Sequence, residues 1–215
     1  SAKAREMFLY MLHRPFPLHK EKIVEALWPE IASSKANSNF HSTLYRLRRA
    51  LNPNCVERDG ELYQLNPSWS YWWDAQEFQR LLTEAGQSPS DSERWESLHE
   101  SAVDLHRGPF VEDIDSEWCD EVRNDIERQL LRALHSLSER RIAGEDYQRG
   151  IDLLEQSLAL DDLQEELYYK IIELYLMLDD RASASRVYRR CESIFGETPP
   201  LSDSQEVRRL LARLN

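Results

Sequence analysis

Glycine is scarce in this chain, and its scarcity removes a class of functions. The six glycines in 215 residues form neither a G-x-G-x-x-G nor a Walker-type loop, so no backbone cradle for a nucleotide phosphate is written here. Cysteine is scarcer still. Cys55, Cys119 and Cys191 are odd in number and far apart, which is no disulfide framework and suits a reducing cytoplasm. There is no apolar run of about 18 residues to span a bilayer, and no secretory h-region follows the opening SAKAREMF. His99 and His106 lack a cysteine or histidine partner at metal-ligand spacing, and His13, His19 and His41 are scattered. The carboxylates Asp113, Asp115, Glu117, Asp120 and Glu121 cluster without a partnered base, as acids in a first helical turn commonly do. We therefore expect no enzyme, no metal and no cofactor.

Charge is plentiful but unevenly divided. Against a net charge of −12, residues 1–70 hold ten Lys and Arg and seven Asp and Glu, a balance of +3. The remainder carries −15. Two modules with different electrostatic tasks follow, 1–70 and 71–215, and only the first suits phosphates.

Within the first module, Ser34 to Leu51 contains no carboxylate at all. Phe40, Leu44, Leu47 and Leu51 recur at helical spacing and make one apolar side. At about 100° per residue, Ser38, Ser42, Tyr45 and Arg49 face the other way, flanked by Lys35, Asn39 and Arg46. Hydroxyls, amides and guanidinium groups are what contact phosphates and base edges in a major groove. An ordinary surface helix with a basic C-terminal end is the plainer alternative.

The neighbouring segments complete a recognisable unit. Residues 3–13 read as a helix with Met7, Leu9, Tyr10 and Leu12 inward, ended by Pro15 and Pro17. A second helix runs from Lys20 to Leu27 and stops at Trp28-Pro29. Ser33 or Ser34 is the expected N-cap of the third. Val56–Arg58 and Glu61–Leu65 then flank Asp59-Gly60, a hairpin signal with Arg58 near its tip. Three helices and a β-hairpin make a winged helix-turn-helix, and Arg58 on the wing is an eighth candidate contact.

The strings KIVEALWPE, YRLRRAL and ERDGELYQL resemble the OmpR-type winged-helix domain of SARP-type regulators. WSYWWDAQEFQRLL, with Asp74, Phe78, Leu81 and Leu82, matches the point where that family enters its helical domain. DLHRGPFVEDIDSEWCDEVRNDIERQLLRAL is similar to the bacterial transcriptional activator domain. Two departures stand out. Family members usually carry a small β-sheet before the first helix, where this chain opens, and a glycine before the wing tyrosine, where this chain has Leu62-Tyr63. The resemblance implies binding to direct repeats of double-stranded DNA at promoters, in tandem or as a homo-oligomer, with help in recruiting RNA polymerase.

From Asp74 onward only helices are expected, near 91–106, 117–143, 147–160, 164–178, 182–195 and 203–214, with Pro199 and Pro200 separating the last two. Gly150 superposes on Ala184 and Leu154 on Tyr188 at the tetratricopeptide period. Such repeats present a concave face to a protein segment. Their acidity fits either a solvated surface or a dock for basic segments. Trp69, Tyr71, Trp72 and Trp73 lack interleaved cations and are expected as core at the module junction rather than as a base-stacking platform. The fold expected is mainly α, a winged helix followed by a TPR-like all-α domain. The function expected is a cytoplasmic, DNA-binding transcriptional activator without membrane contact. A protein-interaction scaffold whose winged helix binds no DNA is the alternative.

Overall fold

A computed structural model describes residues 1–196, Pro199 and 205–213. Its elements, in order, are α1 (Ala2–His13), β1 (Leu18–His19), α2 (Lys20–Leu27), α3 (Ser33–Ala50), β2 (Val56–Asp59) and β3 (Leu62–Leu65). Seven helices follow: α4 (Asp74–Gly86), α5 (Glu93–Leu105), α6 (Glu117–Ala143), α7 (Tyr147–Leu160), α8 (Glu165–Met177), α9 (Arg181–Phe195) and α10 (Gln205–Leu211). Asp203, Ser204 and Leu214 of the last expected helix, and Pro200, lie outside the described residues. No described helix is long and apolar enough to cross a membrane. The chain divides into two compact units, residues 1–80 with 106–126, and 81–105 with 127–215.

The first unit contains the winged helix. Met7, Leu9, Tyr10 and Leu12 of α1 are buried as expected, with Ile23 and Leu27 of α2 and Phe40, Leu44 and Leu47 of α3. Leu51 departs from its stripe and is 49% exposed. It is the C-cap of α3, where the chain is already leaving the helix. The N-cap of α3 is Ala32, without a side-chain cap bond, so both serines lie inside the helix.

The hairpin forms one residue later than its sequence suggests. Asp59 pairs with Leu62, so the loop is Gly60-Glu61. Gly60 has φ +58° while Glu61 is not among the positive-φ residues, the pattern of a type II′ turn, which needs glycine only at its first central position. The two-residue β1 joins the sheet antiparallel to β3, in the order β1-β3-β2.

Residues 106–126 also belong to this unit and are gathered by one arginine. Arg123 donates to the carbonyls of Phe110 (2.8 Å), Val111 (2.7 Å) and Ile114 (2.6 Å). The loop they close contains Gly108 at φ +153° and Val111 at φ +44°. Phe110 so held meets His13 edge-on at 5.4 Å and Trp73 at 5.8 Å, and Trp118 meets Tyr10 at 5.2 Å. Trp118 also donates its indole N–H to the buried Glu6 carboxylate at 3.3 Å. The aromatic cluster expected as core is split instead. Trp69 and Trp73 are half-buried, whereas Tyr71 and Trp72 are 41% and 69% exposed.

In the second unit the repeat is visible in the backbone. Glu145 and Asp179, 34 residues apart, both take positive φ. The next residues, Asp146 and Asp180, cap α7 and α9 by accepting from Arg149 N and Ser183 N. Their own amides return to Arg141 O and Tyr175 O, each at 2.9 Å. One helix-to-helix turn has thus been used twice at the tetratricopeptide spacing. Ile151, Leu154, Leu158, Tyr168, Ile171, Leu174, Ala184 and Val187 form the core between these helices. Arg140 and Arg141 fix α5 to α6 through Glu96 and Glu100, at 2.8 Å for both Arg140–Glu96 and Arg141–Glu100.

Candidate nucleic-acid interface

The site is built on α3 because three long apolar side chains and two small ones anchor only one side of that helix. Ala36, Phe40, Thr43, Leu44 and Leu47 are buried, and at helical spacing this leaves the opposite side to water. Lys35, Ser38, Ser42, Tyr45, Arg46 and Arg49 are exposed there, Tyr45 at 65%, while Asn39 is half-buried. Ser38 donates its hydroxyl to Ser34 O at 3.3 Å, a local bond that leaves its acceptor lone pairs outward.

Electrostatically the helix is uniform. It carries Lys35, Arg46, Arg48 and Arg49 and no Asp or Glu. Lys35, Arg46 and Arg49 make no ion pair or side-chain hydrogen bond among the described residues. Several other cations of the unit are paired. Lys22 is held by Glu25 at 2.9 Å, which raises its pKa, and Arg5 is paired with Asp113. The outward groups of α3 are thus free to meet anions, and their amides and hydroxyls can read base edges.

The eighth candidate is placed differently. Arg58 donates to Gly60 O at 2.6 Å and to Glu61 at 3.4 Å, and its guanidinium lies 5.6 Å from the Tyr63 ring centroid. Glu57, Asp59 and Glu61 are exposed around it. The hairpin therefore offers three carboxylates and one engaged cation, and the positive character of α3 does not continue across it.

Arg48 is legible in the sequence only as one more cation. It falls on the row Phe40, Leu44, Arg48, which points inward, and it is half-buried with Nη2 donating to Val56 O at 2.8 Å. Beside it a solvent-open recess of about 540 Å³ is lined by Arg48, Pro53, Asn54, Val56, Glu57, Arg58 and Asn66.

Away from α3, His99 and the three cysteines have ordinary packing roles. His99 hydrogen-bonds the Trp95 carbonyl at 2.9 Å. Cys55, Cys119 and Cys191 are buried free thiols whose pKa values burial pushes up, that of Cys191 to about 11. Among the described residues no group of three or more His, Cys, Asp and Glu is placed to hold a metal ion.

Residues 73–214 match the family model of the bacterial transcriptional activator domain. The chain belongs to that family. A solved structure of Mycobacterium tuberculosis EmbR in complex with a low-affinity phosphopeptide is similar over 100% of this chain, with a TM-score of 0.70 and 21% sequence identity. This chain spans 59% of the EmbR chain's length. No curated protein sequence matches. A winged helix ahead of a bacterial transcriptional activator domain is the architecture of a SARP-type transcriptional regulator. In that domain, Arg123 and the Gly108-Pro109-Phe110 turn form one local structure, which explains why these residue types stand together.

Proposed function

We propose that this regulator binds double-stranded DNA in a sequence-specific manner through α3, with residues 1–70 as reader and 71–215 as the activator domain. The observation that carries the reading is the exposed, carboxylate-free side of α3 with Arg46 and Arg49 unpaired. Arg46 and Arg49 take phosphate or guanine, Lys35 a phosphate, and Ser38, Asn39, Ser42 and Tyr45 base edges or backbone. Arg58 joins them only by giving up Gly60 and Glu61. One copy on a module of +3 binds weakly and with strong salt dependence. Two copies on direct repeats gain affinity through effective concentration. The helical repeats then supply the protein contact, RNA polymerase being the partner that activation at a promoter requires.

The test is an anisotropy titration of the protein against duplexes from its own promoter. Arg49→Ala should weaken binding by about 1–3 kcal/mol if it pairs bidentately with guanine. Unchanged affinity removes Arg49 from the interface. The acidic hairpin favours a second reading, in which the winged helix contacts protein and has no DNA affinity. A wild-type protein that binds no duplex at low salt would establish it.

A further inference from the structure

The three arginines at the end of α3 do not do the same job. Arg46 and Arg49 are exposed. Arg48 between them is half-buried, its Nη2 bonded to the Val56 carbonyl at 2.8 Å and its Nε enclosed without a partner. Val56 is the first residue of β2 and pairs with Leu65 of β3, so this bond fastens the base of the hairpin to the last turn of α3. A second tie lies farther along the helix. Phe40 meets the buried Tyr63 of β3 edge-on, centroids 4.9 Å apart at 78°.

The charge on the hairpin argues against its being a phosphate clamp. Glu57, Asp59 and Glu61 are exposed, and Arg58 is turned onto Gly60, Glu61 and the Tyr63 ring. A strand pair of this composition is repelled by a duplex. It is nevertheless joined to the reading helix at two points. We propose that the hairpin acts as a buttress that sets the orientation of α3, and that Arg48 is the positioning residue fastening it. This rests on the DNA-binding reading above. A charged hydrogen bond to a carbonyl is among the stronger ones, and a reader displaced at one end forfeits aligned base hydrogen bonds before it forfeits phosphate attraction.

The experiment compares wild type, Arg48→Met, Arg48→Lys and Arg49→Ala, as the full chain, on a promoter duplex and on a scrambled duplex of equal length. Arg48→Met should lose about tenfold in affinity for the promoter duplex, the order of one good base contact, with scrambled binding unchanged. Its slope of log K against log salt should stay at the wild-type value, because Arg48 neutralises no phosphate. Arg48→Lys keeps a donor for Val56 O and should recover part of the loss. Arg49→Ala, if that side chain neutralises a phosphate, should flatten the slope by about 0.9. In the free protein, Arg48→Met should speed hydrogen exchange at hairpin amides while leaving α7–α9 unchanged. A slope flattened by Arg48→Met would make Arg48 a phosphate contact and overturn the proposal. So would wild-type discrimination, or wild-type hairpin exchange, in that variant. If wild type itself binds neither duplex, the DNA reading fails, and the proposal fails with it. That outcome is distinguishable because it appears before any variant is compared.

Discussion

Gly150 offers a substitution whose sign should depend on a single neighbour. Glycine inside a helix normally costs about 0.5–1 kcal/mol relative to alanine, so Gly150→Ala in α7 would ordinarily stabilise. Here a Cβ would stand 2.8 Å from Ile142 Cγ1, 3.5 Å from Ile142 Cδ1 and 3.7 Å from Ser138 O. Carbon atoms attract best at about 3.5–4.0 Å, so one of these approaches is well inside the repulsive wall. Overpacking of this kind costs about 1–3 kcal/mol. The net expectation is destabilisation by about 1 kcal/mol, or about 2–4 °C in Tm for a chain of this size. Ile142→Ala removes the obstructing atoms, and in that background Gly150→Ala should instead stabilise by about 0.5–1 kcal/mol. Urea unfolding of the four proteins, followed by circular dichroism and by hydrogen exchange in α7, gives the cycle. If Gly150→Ala stabilises the wild type by its full helix-propensity gain, the close approach of α6 and α7 is not what holds glycine there.

Three further outcomes follow from the first unit. Burial, and then the charge of Arg14, lowers the pKa of His13, with Asp125 opposing. The fold thus favours the neutral ring, and stability is full above the ordinary imidazole value of about 6.5. It should decline as pH falls through that value toward the lower folded one, and a thermal series on His13→Leu should show a flatter dependence there. Arg123→Met leaves three carbonyl acceptors without their donor. It should cost about 2–3 kcal/mol and open residues 107–115 to protease nicking; unchanged nicking would show that the turn holds without it. Neutralising the hairpin with Glu57→Gln and Asp59→Asn should tighten duplex binding roughly twofold or more per charge at low salt, and no change in anisotropy titrations would place these groups away from the phosphates.

Much of this structure is readable where periodicity is long. α2 and α6 have the bounds that the apolar spacing and flanking breakers imply, because a buried stripe and a proline or acidic first turn agree there. The repeat is legible from Gly150 and Ala184, and the capping pair Asp146 and Asp180 carries the same period more directly. Short-range features are harder. β1 is two residues between Pro17 and Lys20 and exists because Leu18 and His19 find β3, a tertiary event with no local pattern. Asp59-Gly60 and Gly60-Glu61 both satisfy a positive φ at Gly60, and only strand pairing chooses between them. On α3 the outward set is readable because a helix with one anchored side fixes the other. Arg48 is not, since a cation on the inward row looks the same in a composition count until its carbonyl partner is seen. Apolarity alone would put Tyr71 and Trp72 inside, yet side-chain size does not decide burial.

The most direct test of DNA reading by α3 is the salt dependence of duplex binding for wild type and the Arg46→Ala/Arg49→Ala double variant. If these two exposed side chains neutralise phosphates, log K against log salt should flatten by about 0.9 for each phosphate no longer neutralised, with affinity falling while the fold stays intact. A double variant that matches wild type in both slope and affinity would contradict the assignment of this helix to the duplex.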